Sequence, residues 1–460
     1  MIAGIHSGCG KSTAMLALLQ LLTARGIRVA PFKAGPDFLD PMWHQAACGR
    51  ESINLDTRMM REEHCRALFD AHCADADIAL VEGVMGLFDG ADGVGGPGSS
   101  AHLASLLELP VILVVPVRGM SGSIAPLVAG FTARAERARI RIAGILANHA
   151  GSAHHARMLG DLLEREGLPP LIGWIGKEGP QLPERHLGLV TPGECGGVPP
   201  DLAVALHLAG PWSEALASPL PRRGPVPTDP LRGAAGMLEG TTIAVARDVA
   251  FCFLYPANLA WLRSAGATLR FFSPLAGDRL PPDADAVWLP GGYPELHAGR
   301  LADAPCWPSL RAFIASGRPV LAECGGMMVL GNAIVTAEGR RLPMAGILPC
   351  TFRMHRRLVA LGYREEAGGM RGHEFHHSER HCSTPLPPCF DLPRGDRGIR
   401  HGGVRASYVH WYFPSAPEAA AAWFSGGGRA ASQAAVVRGG GDRTNRKPIQ
   451  TGNRCAGRAA

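Results

Sequence analysis

Short apolar runs punctuated by glycine recur along this chain. Residues 1–5, 28–33, 76–81, 111–117 and 142–148 are such runs, too short for helices, and read as buried strands. Between them lie longer apolar-rich stretches, the clearest over 14–25, that read as helices. Strand and helix alternate, which predicts a parallel sheet in an α/β fold. The alternation restarts after residue 240, with strands at 241–246, 268–272, 286–289 and 319–322, a helix at 258–265, and the start of an apolar helix at 327–330. In between, 212–240 is rich in Pro, Gly and Ala, lacks periodicity and reads as a linker. From residue 425 the pattern is lost again. The expected organisation is an α/β domain over 1–210, a linker over 211–240, a second α/β domain over 241–424, and a disordered tail over 425–460.

Composition narrows the class of protein. With 460 residues, 46% of them hydrophobic and 19% charged, the chain is expected to fold as a soluble protein of more than one domain. A net charge of +6 suits a polyanionic small substrate. No basic stripe is interleaved with aromatics, so nucleic-acid binding is not expected. No apolar run reaches the ~20 residues needed to cross a bilayer, so no membrane association is expected. Twelve cysteines are scattered without a C-x-x-C pair, which argues against a zinc ribbon or a disulfide framework and for a reducing, cytoplasmic setting. A homodimer is compatible with the sequence but not required by it.

The first candidate site follows the opening strand. Gly4-Ile-His-Ser-Gly-Cys-Gly-Lys-Ser-Thr13 is a close relative of the phosphate-binding pattern G-x-x-x-x-G-K-[ST], and a helix follows it. Gly8 and Gly10 would let backbone N–H groups face phosphate oxygens at the helix N-terminus. Lys11 would reach the terminal phosphates, Ser12 would bind Mg²⁺, and Thr13 completes the motif. The second strand ends in Lys33-Ala-Gly-Pro-Asp-Phe-Leu-Asp-Pro41, which puts an amine and two carboxylates, Asp37 and Asp40, on a loop where ligands of parallel sheets gather. The same loop could be a plain Pro/Asp turn. The third strand ends at Glu82, a carboxylate suited to a Mg²⁺ ligand or a water-orienting role.

The second candidate site lies in Arg318-Pro-Val-Leu-Ala-Glu-Cys-Gly-Gly-Met-Met-Val-Leu-Gly331. Strand, sharp glycine turn and helix place Cys324 at an elbow resembling G-x-S-x-G, with Cys for Ser. At the positive end of a helix its thiol is expected to lose its proton more easily. His410, in Tyr408-Val-His-Trp-Tyr412, is the candidate base. Gly291 and Gly292, in Leu289-Pro-Gly-Gly-Tyr-Pro-Glu295, and Gly325 are candidate oxyanion donors. Together these suggest acyl transfer through a thioester. A lone cysteine is more often a small buried residue. Cys324 differs from the other cysteines in its glycine elbow and its pairing with His410.

Two histidine groups carry less. His154 and His155 are adjacent, point in different directions on a helix, and read as surface residues. In Arg371-Gly-His-Glu-Phe-His-His-Ser378, strand spacing puts His373, Phe375 and His377 on one face and Glu374 and His376 on the other, which splits any metal cluster.

These segments carry a family resemblance. His6-Ser-Gly-Cys-Gly-Lys-Ser-Thr13, Pro31-Phe-Lys-Ala-Gly-Pro-Asp-Phe-Leu-Asp-Pro41 and Val81-Glu-Gly-Val-Met-Gly-Leu-Phe-Asp-Gly90 resemble the cobyrinic acid or hydrogenobyrinic acid a,c-diamide synthases. So do Arg118-Gly-Met120, Leu182-Pro-Glu-Arg-His-Leu-Gly188, Leu289-Pro-Gly-Gly-Tyr-Pro-Glu295, Ala322-Glu-Cys-Gly-Gly326 and Gly372-His-Glu-Phe-His376, in the family's order across about residues 2–424. These synthases are glutamine-dependent amidoligases of cobalamin biosynthesis.

The resemblance implies a P-loop, dethiobiotin-synthetase-like ATP domain followed by a class I, triad-type glutamine amidotransferase domain. It implies Cys324 as nucleophile, His410 as its activator, Lys11 and Ser12 on ATP and Mg²⁺, and metal ligation by Glu82 and by Asp37 or Asp40. It also implies ATP, glutamine and a corrinoid polycarboxylate as substrates. The chain departs from the pattern in three places, one of them an unusually short opening strand. Tyr412 stands where triad amidotransferases carry an acid, so the site resembles a Cys-His dyad. Pro116 stands where the family has Asp after the fourth strand. Two alternatives fit fewer of these features: an amidoligase for another tetrapyrrole acid, such as nickel sirohydrochlorin or a later corrin amidation, and a P-loop ATPase switch with an inactive amidotransferase-like domain.

Overall fold

A computed structural model describes residues 1–90, 95–180, 182–185, 188–216 and 235–425. Most of the expected linker (217–234) and the expected tail (426–460) lie outside the described residues.

The first sheet is built from β1 (Ile2–Gly4), β2 (Val29–Ala34), β3 (Ile53–Leu55), β4 (Ile78–Gly86), β5 (Val111–Pro116), β6 (Ile142–Ala150) and β7 (Leu171–Gly176), with Leu206–Leu208 at one edge. In space the order runs from Leu206–Leu208 through β7, β6, β5, β1, β4 and β2 to β3. Every pairing is parallel except that of Leu206–Leu208 with β7. The central strands are buried on both faces, which is why they read as unbroken apolar runs. Ala3, Leu113 and Val115 face one core layer; Ile2, Ile112 and Val114 face the other, under helix α1 (Lys11–Ala24). That helix is rich in Leu, Ala and Met, which are strong helix formers, and it starts directly after Gly10, whose left-handed φ of 97° a side chain would resist.

β4 runs on to Gly86, so Glu82 sits inside the strand, not after it. Three-residue strands such as β3 are too short for a periodic signal and form because the neighbouring strand offers an edge. Trp212–Leu216, expected as linker, is a short helix packed beside the first sheet. Arg25 lies over the Trp212 ring at 5.0 Å.

The second sheet runs Thr268–Phe272, Thr242–Ala246, Ala286–Leu289, Val320–Glu323, Val404–Ser407, Ile399–His401, parallel but for the last strand. Beside it lies a three-stranded antiparallel sheet of Ala360–Glu365, Arg371–His376 and Val409–Tyr412. Cys350 and Cys382 stand directly opposite each other on two antiparallel strands and are disulfide-bonded. No bridge was expected from their spacing, since strand register alone brings them together.

The two halves pack through aromatic residues. Tyr255 donates to the Pro36 carbonyl at 3.0 Å and Tyr363 to the Asp56 carboxylate at 2.8 Å. The Tyr412 hydroxyl lies 3.2 Å from His64 Nε2. Tyr255 and Tyr412 are buried in the core of the first half.

Candidate active site

At the first sheet's C-terminal edge the phosphate loop is preformed. Gly8 and Gly10 both have positive φ. A side chain on Gly10 would lie 2.0 Å from the Asn148 amide, and that amide donates to the Cys9 carbonyl at 3.0 Å. Asn148, at the end of β6, thus props the loop from below. Lys11 is buried and donates to the His6 carbonyl at 3.3 Å. Burial and the nearby Lys33 hold its pKa below the ordinary lysine value. Ser12 and Thr13 lie in the first turn of α1.

Behind the loop is a buried charge cluster. The Ser12 hydroxyl donates to Glu82 Oε1 at 2.7 Å and lies 3.4 Å from Asp40 Oδ1. Lys33 Nζ sits between Asp40 at 2.5 Å and Glu82 at 3.0 Å. His44 Nε2 meets the other Glu82 oxygen at 2.7 Å, with its Nδ1 2.9 Å from the Ser52 hydroxyl. Burial opposes the charge on Lys33, but Asp40 and Glu82 outweigh it and raise its pKa. Burial also works against the Glu82 carboxylate, yet Lys33 and His44 keep it ionised. Asp40 is pushed up by burial and by Glu82.

Ser12, Asp40 and Glu82 converge as an all-oxygen donor set, the kind Mg²⁺ takes. Asp37 is placed differently. Its carboxylate accepts the Leu39 N–H at 2.8 Å at the start of helix α2 (Leu39–Cys48), and it lines a neighbouring cavity. His44 and Asn148 were not anticipated, because a lone histidine in a helix and an asparagine at a strand end carry no motif.

That neighbouring cavity, of about 450 Å³, is where the halves meet. Pro36, Asp37, Phe38, Leu39, Val84 and Met85 line it from the first half, and Cys324, His410, Gly292, Tyr293 and Glu295 from the second. Cys324 follows the strand Val320–Glu323 and precedes the turn of helix Gly325–Met328. Its φ of 45° with ψ of −109° is strained for a residue with a side chain. The glycine pair accommodates this elbow: a side chain on Gly326 would lie 2.1 Å from the Leu289 carbonyl oxygen.

The expected acidity of Cys324 is corrected by the structure. Burial pushes its thiol pKa above the ordinary value, Glu295 adds to the effect, and the Gly325 N–H opposes it. Desolvation and the acidic neighbours outweigh a helix of a single turn.

His410 is almost fully buried, and its Nδ1 has no hydrogen-bond partner among the described residues. Tyr412, standing where an orienting acid would be, turns instead to His64. Burial pushes His410 down to about 3, helped by His373 and His376, so the ring is neutral at ordinary pH. Its position is set by packing. Phe38, from the first half, lies 5.0 Å from the His410 ring and stacks on Phe253 and Tyr255 at 4.9 and 4.4 Å. Gly291 lies against the same ring: a side chain there would come within 2.2 Å of Cε1. The Gly291 carbonyl accepts the Phe253 N–H at 3.0 Å, which holds the glycine loop in place.

Glu374 and His376 pair at 2.9 Å, with Arg364 on the other carboxylate oxygen at 2.5 Å. Among the described residues no cluster of three or more His, Cys, Asp or Glu could hold a metal ion. His155, placed at the surface by the sequence reading, lies 2.7 Å from the Met120 carbonyl and accepts the Gly151 N–H at 3.0 Å.

A phosphate-binding loop on one parallel sheet and a cysteine elbow on another define a nucleotide-binding domain joined to a glutamine amidotransferase domain. The chain matches the CobQ/CobB/MinD/ParA nucleotide binding domain over residues 1–185 and the CobB/CobQ-like glutamine amidotransferase domain over 242–418. It is 40% identical over 441 residues to the cobyrinate a,c-diamide synthase of Herminiimonas arsenicoxydans, covering 92% of this chain and 96% of that protein. It is 43% identical over 437 residues to the same-named protein of Gloeobacter violaceus, covering 91% and 95%. It is 43% identical over 433 residues to the hydrogenobyrinate a,c-diamide synthase of Rhodobacter capsulatus, covering 89% and 97%. The chain belongs to the cobyrinate and hydrogenobyrinate a,c-diamide synthase family.

Proposed function

We propose that this protein uses ATP and glutamine to amidate the a- and c-acetate carboxylates of cobyrinate or hydrogenobyrinate, in cobalamin biosynthesis. The observation that carries the reading is the shared cavity: Cys324 and His410 open into a space whose other wall is the Pro36–Leu39 loop of the nucleotide-binding half.

The glutaminase half-reaction begins with neutral His410 taking the Cys324 proton as the thiolate forms. Sulfur attacks the glutamine side-chain amide, with Gly291, Gly292 and Gly325 around the developing oxyanion. Ammonia leaves with the proton that His410 returns, and water clears the γ-glutamyl thioester to glutamate, restoring the thiol. In the other half, ATP transfers its terminal phosphoryl group to an acetate carboxylate, giving an acyl phosphate that ammonia displaces as the amide. Gly8, Gly10, Lys11, Ser12 and Thr13 hold the phosphates, and Lys11 and Lys33 offset charge on the transferring group. Ser12, Asp40 and Glu82 would hold Mg²⁺, with Asp37 beside them, and when bound the ion supplies further neutralisation of phosphate charge.

The test is incubation of the purified protein with cobyrinate, ATP and glutamine, read by mass. Two successive losses of one mass unit are expected. Cys324→Ser should abolish the glutamine-dependent reaction and keep the ammonia-driven one. Unchanged glutamate release from Cys324→Ser would overturn the assignment of the nucleophile.

A further inference from the structure

The three-stranded sheet that carries His410 has one face that is only partly covered. Register sets His410 opposite His373, His373 opposite Tyr363, and Phe375 opposite Leu361. Directly opposed and alternate positions share a face, so these side chains look the same way. At the His410 end the face is buried. At the other end Leu361 is 58% exposed and Phe375 40%, and Met85, from the end of β4, is 44% exposed. All three line the cavity that holds Cys324. An apolar cluster left open beside the Cys324 thiol marks a binding surface.

Tyr363 separates this surface from a second cavity of about 350 Å³, lined by Arg58, Arg364, Arg371 and Arg394. Arg364 and Arg371 are paired with Glu374 and Glu365. Arg58 lies over the Tyr363 ring at 5.5 Å. Neither Arg58 nor Arg394 forms an ion pair among the described residues. An apolar shelf thus adjoins two cations that form no ion pair among the described residues.

We propose that this composite surface seats the corrinoid, with the macrocycle against Met85, Leu361 and Phe375 and peripheral carboxylates at Arg58 and Arg394. The proposal rests on the amidation reading above. A large ring fringed by carboxylates needs an apolar face edged by cations, and here the two adjoin. The placement also suits the chemistry. Val84 and Asp37 wall the same cavity, just beyond Glu82 on β4 and Lys33 on β2. An acetate of a ring seated there points toward the charge cluster, while ammonia released at Cys324 enters the same space.

The test is equilibrium titration of the full chain with cobyrinate, followed by calorimetry, alongside steady-state kinetics. Leu361→Ala combined with Phe375→Ala should weaken cobyrinate binding and raise its KM by on the order of tenfold, leaving KM for ATP unchanged. Arg58→Gln combined with Arg394→Gln should weaken binding and flatten its salt dependence. Phe271→Ala, at an exposed position on the edge strand of the other sheet, should bind as the wild type does. Wild-type binding by the Leu361/Phe375 variant overturns the proposal, as does equal weakening by Phe271→Ala. So does a wild-type dimer dispersed by Leu361→Asp with cobyrinate affinity intact, since the shelf would then serve a second copy. A wild-type chain that binds cobyrinate without amidating it overturns the parent reading, while the variants still decide where the ligand sits.

Discussion

Glu323 accepts the backbone N–H of Trp411 at 2.9 Å, tying the residue before Cys324 to the residue after His410. Its second oxygen accepts from the Trp288 indole at 3.0 Å. One buried carboxylate therefore aligns the strand that delivers the thiol with the strand that delivers the imidazole.

That arrangement has a pH signature. Burial pushes Glu323 from its ordinary 4.5 up to about 8. The folded state then binds the proton more tightly than the unfolded chain does. The associated stability is complete below pH 4.5 and is lost as pH rises through about 8, by up to a few kcal/mol. Glu323→Gln should remove this slope. Urea unfolding of both proteins at about pH 5 and about pH 9 checks it.

The resting thiol should be sluggish. With its pKa raised by burial, Cys324 should react with iodoacetamide more slowly at neutral pH than exposed Cys195, and its rate should climb with alkalinity. Peptide mapping of partly alkylated protein gives the order. Because burial pushes His410 down to about 3, kcat/KM for glutamine should show no acid limb at the ordinary histidine value of 6.5.

Gly291 should tolerate no side chain. A methyl group there would meet the His410 ring at 2.2 Å and force it to move. Gly291→Ala should cut glutaminase kcat/KM by on the order of a hundredfold, while ammonia-driven amidation stays near wild type. Comparing the two nitrogen sources separates misplacement of His410 from general unfolding.

Lys33 neutralises two buried carboxylates. Lys33→Met leaves Asp40 without its cation and Glu82 with only His44 and Ser12, and should cost about 3–5 kcal/mol of stability. Adding Asp40→Asn should recover part of that loss without restoring amidation. Thermal unfolding with and without ATP, together with product formation, reads both effects.

Local pattern carried much of this protein. The strand Ala286–Leu289 coincides with its apolar run, because a buried parallel strand needs apolar residues throughout, whereas Thr268–Phe272 is a largely exposed edge strand. The phosphate loop and the Cys324 elbow were legible for a similar reason: positive φ and close backbone approach demand glycine at fixed spacings.

What the sequence by itself determined was therefore the repeated strand–turn–helix units and the residue types at their ends. Only the tertiary structure decided which of those ends meet. Phe38 reaches the His410 ring from the other half of the molecule, Asp40 joins Ser12 and Glu82 while Asp37 turns to the cavity, and Cys350 finds Cys382 by register. It also decided the charge states, since desolvation at Cys324, His410 and Glu323 depends on everything packed around them. Periodicity and turn chemistry act between neighbours along the chain, whereas burial and encounter are set by residues far apart in it.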